Sequence, residues 1–293
     1  GGGEGCYPSV AYPSAQVLAQ TWNRQLAREM GNCLAYDCID LGVDVLLGPG
    51  VNIKRTPVAG RNFEYFSEDP YVSGTMAAEY VRGLQEKHVG ATVKHFCANN
   101  LEYCRHYASS EVDEATLREI YLKPFELAVR AKPYMVMSSY NLVNGVRMSE
   151  NPRLLKVLRE EFGFDGVIVT DWEACKDAEA SITAGTTMIF PYNAERQREL
   201  EEAIAAHSLP EEIVDAAARR ILELAETCGR DKPLRRAEKT AAERADTAKT
   251  IAEEGIVLLK NNGVLPLGRE QKVLMTGAPC KLYYAGEGSS RVV

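Results

Sequence analysis

The sequence is poor in cysteine, in long apolar runs and in excess positive charge. Its 293 residues include 8 cysteines, a density far below that of a disulfide scaffold, so we expect most thiols to be reduced and buried. No segment approaches the ~18 apolar residues that a membrane-spanning helix needs. The 34 Lys and Arg residues are outnumbered by 41 Asp and Glu residues. This balance excludes a nucleic-acid binder that works through bulk positive charge.

The N-terminus also lacks the basic start and apolar core of a signal peptide, because residues 1–5 read Gly-Gly-Gly-Glu-Gly. We therefore expect a cytoplasmic protein, unless the sequence begins after such a segment. Hydrophobic residues make up 45% and charged residues 26%, which is typical of a soluble globular chain. The length fits either two domains or one large β/α barrel.

Strand and helix patterns alternate along the first 229 residues. Short β-branched runs bounded by glycine or polar residues predict buried parallel strands at 43–47, 91–93, 134–139 and 166–170, with 185–190 as a further candidate. Helices are predicted to begin after Asp113, after Asn151 and, with a capping box, after Ser208. The alternation predicts an α/β fold with a parallel sheet, and periodicity alone leaves open whether that sheet is closed.

The composition changes after Gly229. Residues 230–244 are charged and predict a linker or a solvated helix, and residues 250–259 form an amphipathic segment. Residues 272–276 are apolar enough to be the first strand of a new unit.

Polar residues directly follow three of the predicted strands. Parallel β/α proteins bind ligands at the carboxyl ends of their strands, and this rule selects Lys94 with His95, Tyr140 with Asn141, and Asp171 with Trp172. Asp171 is the best catalytic candidate by position, although capping of the next helix is an equally good explanation. Lys94 also suits a Schiff base on a barrel, which is a weaker alternative.

A zinc site is a further alternative near the second of these strands. Cys97 and Cys104, together with His95 and His106, supply ligand types that suit zinc. Their spacing lies outside the usual zinc-finger loops, and the intervening 99–102 segment, with two asparagines and a glutamate, resembles a polar binding loop. We therefore expect no metal here.

Several motifs occur together in one order along nearly the whole chain. They are Gly60-Arg61-Asn62-Phe63-Glu64, Phe66-Ser67-Glu68-Asp69-Pro70, Lys94-His95-Phe96, the helix 116–125, Met137-Ser138-Ser139-Tyr140-Asn141, Gly163-Phe164-Asp165-Gly166 and Thr170-Asp171-Trp172. In this combination the sequence resembles glycoside hydrolase family 3 of the β-glucosidase type. The resemblance implies a (β/α)8-type, TIM-like barrel, here expected to lack its first strand.

The resemblance also implies roles for individual residues. Asp171 matches the nucleophile of a retaining β-glycosidase that hydrolyses terminal β-D-glucosyl residues through a covalent intermediate. Residues that match the sugar-binding set, or that line its pocket, are Arg61, Lys94, His95, Arg105, Met137, Tyr140 and Trp172. A carboxylate that attacks and charged groups that hold hydroxyls are the residue types this chemistry requires.

The same resemblance divides the chain into a barrel over 1–229, a linker over 230–268 and the opening of an α/β sandwich domain over 269–293. The acid/base residue is then expected outside this chain, which the resemblance treats as truncated at both ends. It implies no metal or organic cofactor and a β-glucoside or oligosaccharide as the substrate, while the charge balance and the short apolar runs indicate no nucleic acid and no membrane as partners. A β-xylosidase, a carbohydrate-binding or catalytically incomplete fragment, and a homo-oligomer stay open.

Overall fold

The computed structural model describes residues 9–229 and 236–277. Its strands are β1 (Val45–Leu46), β2 (Gly90–Phe96), β3 (Ser109–Ser110), β4 (Met135–Ser138), β5 (Leu142–Val143), β6 (Val146–Arg147) and β7 (Val167–Thr170). Its helices are α1 (Ala15–Gln20), α2 (Arg24–Asp40), α3 (Pro70–Glu86), α4 (Glu114–Thr116), α5 (Lys123–Val129), α6 (Pro152–Lys156), α7 (Ala178–Thr183), α8 (Ala194–Ala205), α9 (Glu211–Thr227) and α10 (Ala241–Glu254). No helix in these ranges is long and apolar enough to cross a membrane.

Four of the strands form a parallel sheet in the order β1-β2-β4-β7. These are the four strands that the sequence predicts, and helices cross between consecutive members of the sheet. The fifth candidate, 185–190, contributes a parallel bridge between Met188 and Val169 next to β7 instead of a full strand. The predicted α/β class with a parallel sheet is confirmed.

Both faces of this sheet are buried, as the apolar strand sequences require. Val136 and Ile168 belong to the large core that packs against the helices. The alternate positions form a second apolar cluster, made of Met135, Met137, Val167 and Val169. The strands are therefore held rigidly, and the residues that follow them are positioned by the packed core.

Two helices begin as predicted, and proline explains where one is interrupted. Asp113 accepts a hydrogen bond from Thr116 N at 3.0 Å, and Asn151 accepts one from Leu154 N at 3.0 Å. The helix after Asp113 does not run on regularly, because a π turn at Leu117–Tyr121 separates α4 from α5. Pro124 lies in the first turn of α5, where its missing N–H is tolerated.

The sequence expectations are less accurate toward the C-terminus. The capping box predicted at Ser208 is wrong, because the residue before α9 is Pro210 and makes no side-chain cap. The capping box lies at Thr240 and Glu243 instead, where it begins α10. This helix ends at Glu254, so the amphipathic segment 250–259 is helical only in its first half. Residues 272–276 form no strand in the described part of the chain.

A partly buried ion-pair cluster attaches α10 to α2. Arg244 is 6% exposed, with Nε 3.0 Å from Asp37 Oδ1 and Nη2 2.8 Å from Asp40 Oδ2. Tyr12 donates a hydrogen bond of 2.8 Å to the second oxygen of Asp37. Burial raises the pKa of Asp37, although Tyr12 and Arg244 both oppose that shift. The carboxylate of Asp37 thus depends on Arg244 for its compensation.

We predict that Arg244→Ala lowers the free energy of unfolding by about 3 kcal/mol, because it leaves the Asp37 carboxylate buried without its cation. Urea denaturation followed by circular dichroism measures this change. Lys249→Ala is the matched control, since Lys249 lies on the same helix with a side chain that is 71% exposed. We expect the control to stay within about 0.5 kcal/mol of the unmodified chain. Equal effects of the two changes would contradict the assignment.

Candidate active site

The carboxyl ends of β2, β4 and β7 bring the candidate residues to one edge of the sheet. Lys94 and His95 are consecutive in β2, where strand geometry alone would direct their side chains to opposite faces. The pairing register between β2 and β4 shifts between Lys94 and Phe96, as at a β-bulge. Such an irregularity re-aims side chains. Lys94 contacts Glu64 and His95 contacts Asp171, two carboxylates that both also contact Arg61.

Asp171 occupies the first position after β7 and is 8% exposed. Its Oδ1 accepts a hydrogen bond of 2.7 Å from Trp172 N, and its Oδ2 lies 3.4 Å from His95 Nε2 and 3.6 Å from Arg61 Nη1. Burial raises its pKa, against the lowering effects of the Trp172 N–H, Arg61, Tyr140 and Lys94. The next helix, α7, is capped by Asp177 instead. The helix-capping explanation for Asp171 therefore fails.

Arg61 and Lys94 share one carboxylate, that of Glu64. Arg61 Nε donates to Glu64 Oε1, and Lys94 Nζ lies 3.1 Å from Glu64 Oε2. Arg61 directly precedes a single 3-10 turn, Asn62–Glu64, of which Glu64 is the last residue and which follows the loop after β1. Burial alone would raise the pKa of Glu64, but Lys94 and Arg61 outweigh it and the pKa is lowered. Glu64 is thus ionised between two cations.

His95 is fully buried and held on its backbone and ring. Its backbone N–H and C=O both bond to the side chain of Asn52, at 2.8 and 2.9 Å, and its Nδ1 lies 3.1 Å from the Tyr65 hydroxyl. Burial, together with the charges of Arg61, Lys94 and Arg105, lowers its pKa well below the usual value. The imidazole is therefore neutral at pH 7.

Tyr140 follows β4, and its ring contacts two residues of the loop between β2 and β3 (98–108). The Arg105 guanidinium stacks 4.0 Å from the centre of the Tyr140 ring, and the His106 ring centre lies 4.6 Å from it. Arg105 Nη1 also bonds to Glu102 at 2.6 Å. Burial, followed by the charge of Asp171, raises the pKa of the Tyr140 hydroxyl. The structure thus places Tyr140 and Arg105 together, close to Asp171.

The remaining two candidates differ in exposure. Met137 pairs in register with Lys94, and its side chain is buried in the apolar cluster of the strands. Trp172 is 58% exposed beside the carboxylate, with its ring centre 6.1 Å from that of Phe190. Met137 is thus packed beneath the site, whereas Trp172 is open to solvent at its border.

The two alternative chemistries are not supported by the geometry. In residues 9–229 and 236–277, no group of three or more His, Cys, Asp or Glu side chains is placed to hold a metal ion, so the geometry gives the zinc alternative no support. Cys97 is fully buried, whereas Cys104 is exposed. Lys94 Nζ is held in an ion pair 3.1 Å from Glu64 Oε2, so the amine is not free for the Schiff-base alternative.

Three residues that the sequence reasoning did not select also belong to this cluster: Asn52, Glu64 and Tyr65. Glu64 lies three positions after Arg61, a spacing that suits an ion pair in a helical turn and that could have identified it. Asn52 and Tyr65 act on His95 from outside its strand, and no local pattern indicates such contacts.

The chain matches the sequence model of the glycosyl hydrolase family 3 N-terminal domain over residues 3–224. It is 42% identical over 291 residues to thermostable beta-glucosidase B of Acetivibrio thermocellus. The aligned region covers 97% of this chain and 38% of that protein. It is 43% identical over 303 residues to a beta-glucosidase of Rhizobium radiobacter, covering 100% of this chain and 37% of that one. The chain thus spans less than two fifths of the length of these relatives.

Solved structures give the same result. Beta-glucosidase 3B of Thermotoga neapolitana in complex with glucose superposes with a TM-score of 0.86 at 42% identity, over 91% of this chain and 39% of that one. A Bifidobacterium adolescentis GH3 beta-glucosidase superposes with a TM-score of 0.86 at 38% identity, over 91% of this chain and 40% of that one. These matches confirm the predicted TIM-like barrel class. On these similarities of sequence and fold, the chain belongs to glycosyl hydrolase family 3.

Proposed function

We propose that this chain carries the sugar-binding and nucleophilic part of a retaining β-glucosidase site, with Asp171 as the nucleophile. The observation that carries the proposal is the buried Asp171 carboxylate at the end of β7, within 3.6 Å of Arg61 and 3.4 Å of His95. The relatives and solved structures named above are beta-glucosidases, and one of them was solved with glucose.

The geometry suits attack on a sugar. In the described part of the chain, the buried atoms Asp171 Oδ2 and His95 Nε2 have no hydrogen-bond partner. Buried polar atoms without a partner are costly, so a hydroxylated ligand that supplies partners is favoured. In the proposed step, an Asp171 oxygen forms a bond to the anomeric carbon while the bond to the leaving oxygen breaks, and that oxygen leaves with the electron pair.

The proposed general acid/base lies outside the cluster described here. Its other two carboxylates, Glu64 and Glu102, are each paired with cations, at 3.1 Å to Lys94 and 2.6 Å to Arg105. Lys94 and Arg61 lower the pKa of Glu64, which makes it a poor proton donor, and Glu102 is held in its ion pair with Arg105. This supports the alternative that the chain alone is catalytically incomplete. Such a chain would act only on substrates whose leaving groups need little protonation.

We predict that 2,4-dinitrophenyl 2-deoxy-2-fluoro-β-D-glucoside labels Asp171, because this reagent needs a nucleophile but little acid assistance. Intact mass and peptide mapping should show one fluoroglucosyl group on the peptide that contains Asp171. The labelling rate should fall as the pH drops below the raised pKa of Asp171, since protonation removes the attacking lone pair. Asp171→Asn should abolish labelling. Labelling of another residue, or no labelling of the folded chain, would refute the proposal.

A second prediction concerns the leaving group. If the acid/base is absent from the chain, 2,4-dinitrophenyl β-D-glucoside should be cleaved, whereas cellobiose should be slower by about 10²–10⁴-fold than in an enzyme with its acid in place. Stopped assays of released dinitrophenolate and glucose measure the two rates, with Asp171→Asn as the blank. Efficient cleavage of cellobiose by this chain would show that its acid/base lies within these 293 residues.

A further inference from the structure

Glu64 connects Arg61 and Lys94, two cations whose charges lower the pKa of the Asp171 carboxylate. Its two oxygens are divided between them, with Oε1 bound to Arg61 Nε and Oε2 3.1 Å from Lys94 Nζ. The side chain of Glu64 is 19% exposed, so solvent screens these contacts only in part. Fixing two long side chains with one carboxylate removes most of their rotamer freedom.

Arg61 lies closer to the Glu64 carboxylate than to the Asp171 carboxylate. Its Nε is hydrogen-bonded to Glu64, whereas its Nη1 is 3.6 Å from Asp171 Oδ2, beyond hydrogen-bond range. Among the described residues, none makes a hydrogen bond of good geometry to the buried Asp171 Oδ2, although the Tyr140 hydroxyl lies close enough to this carboxylate to lower its pKa. A guanidinium would ordinarily form a short, bidentate pair with such a carboxylate. In this structure Glu64 receives the Arg61 contact instead.

We propose that Glu64 is a positioning residue that holds Arg61 and Lys94 off Asp171, so that the oxygen of Asp171 stays free to attack the sugar. The inference rests on the proposed function of Asp171 as the nucleophile. Glu64 acts through the two cations and is not itself assigned a contact with the substrate. A carboxylate engaged by a guanidinium has its lone pairs occupied and its charge spread, which makes it a weaker nucleophile.

The charged and titratable groups around Asp171 define the expected electrostatic change. They are Arg61, Glu64 and Tyr65 from the loop after β1, Lys94 and His95 from β2, and Glu102, Arg105, His106 and Tyr140 from the loops after β2 and β4. Removal of the Glu64 charge takes away one negative neighbour and frees two cations to approach Asp171. Both effects stabilise the ionised carboxylate, so the pKa of Asp171 should fall.

The test compares Glu64→Gln with Glu64→Asp and with Glu68→Gln in the full 293-residue chain. Glutamine keeps the shape of Glu64 but not its charge, and aspartate keeps the charge but is too short to reach both cations. Glu68 is an exposed acid four residues further along the same loop, so Glu68→Gln removes an equal charge without touching the site. Circular dichroism melting shows whether each variant is folded.

Two readouts separate positioning from a merely structural role. One is the rate constant and the inhibition constant for labelling by 2,4-dinitrophenyl 2-deoxy-2-fluoro-β-D-glucoside, measured across pH. The other is the pKa of Asp171 itself, followed by carbon-13 NMR of the aspartate carboxyls and assigned by loss of the signal in Asp171→Asn. The second readout does not depend on turnover.

For Glu64→Gln we expect the labelling rate constant to fall about 10²-fold, with a smaller change in the inhibition constant. The acidic limb of the pH profile of labelling should move to lower pH. The NMR pKa of Asp171 should fall in parallel. Glu64→Asp should lose about tenfold in rate constant, and it decides the question if Glu64→Gln does not fold. Glu68→Gln should match the unmodified chain.

The proposal is overturned if a folded Glu64 variant labels at the unmodified rate, or if the rate falls while the Asp171 pKa and the acidic limb stay in place. A fall in thermal stability with unchanged kinetics would also overturn it, since Glu64 would then be structural only. Failure of the proposed function looks different. In that case the unmodified chain is not labelled at Asp171, whereas the NMR titration still shows whether Glu64 controls that carboxylate.

Discussion

Asp171 buries its carboxylate at the end of β7, where an unpaired charge would cost several kcal/mol relative to water. The surrounding structure compensates this charge without neutralising it through a close contact. Arg61 stands 3.6 Å from the carboxylate, and the Trp172 N–H binds its other oxygen. Placement at the edge of a rigid sheet, with both faces packed, keeps these distances fixed.

The charged side chains of the neighbouring loops are also paired, so that the positive and negative charges around Asp171 balance. Arg61 and Lys94 share Glu64, and Arg105 has Glu102, so the three cations of the cluster face three carboxylates once Asp171 is included. Because His95 is neutral, it adds no fourth positive charge. A site balanced in this way can hold an uncharged polyol without leaving a net charge buried beneath it. The same arrangement would be poorly suited to an anionic ligand.

The sequence predicts what depends on local pattern and cannot predict what depends on distant contacts. The four sheet strands and the caps at Asp113 and Asn151 follow from residue type and spacing, and the structure has them. The strand-end rule also located Asp171 and Lys94. Contacts such as Asn52 with His95, 43 positions apart, depend on the closed fold and leave no local signal. The capping box predicted at Ser208 shows that a local pattern can also mislead, since α9 begins after Pro210, which makes no side-chain cap.

The neutrality of His95 has a consequence for how the cluster presents hydrogen bonds. A neutral imidazole carries one N–H, and the network assigns its position. Asn52 Oδ1, 3.4 Å from Nδ1, would favour an N–H on that nitrogen, but the shorter contact is with the Tyr65 hydroxyl, 3.1 Å away, which can donate to Nδ1 and leave the N–H on Nε2. Nε2 lies 3.4 Å from Asp171 Oδ2, so this tautomer points a donor toward a carboxylate, whereas the other would oppose two lone pairs. With the N–H on Nε2, a donor and an acceptor lie side by side, and one hydroxyl group, which both donates and accepts, can bond to both.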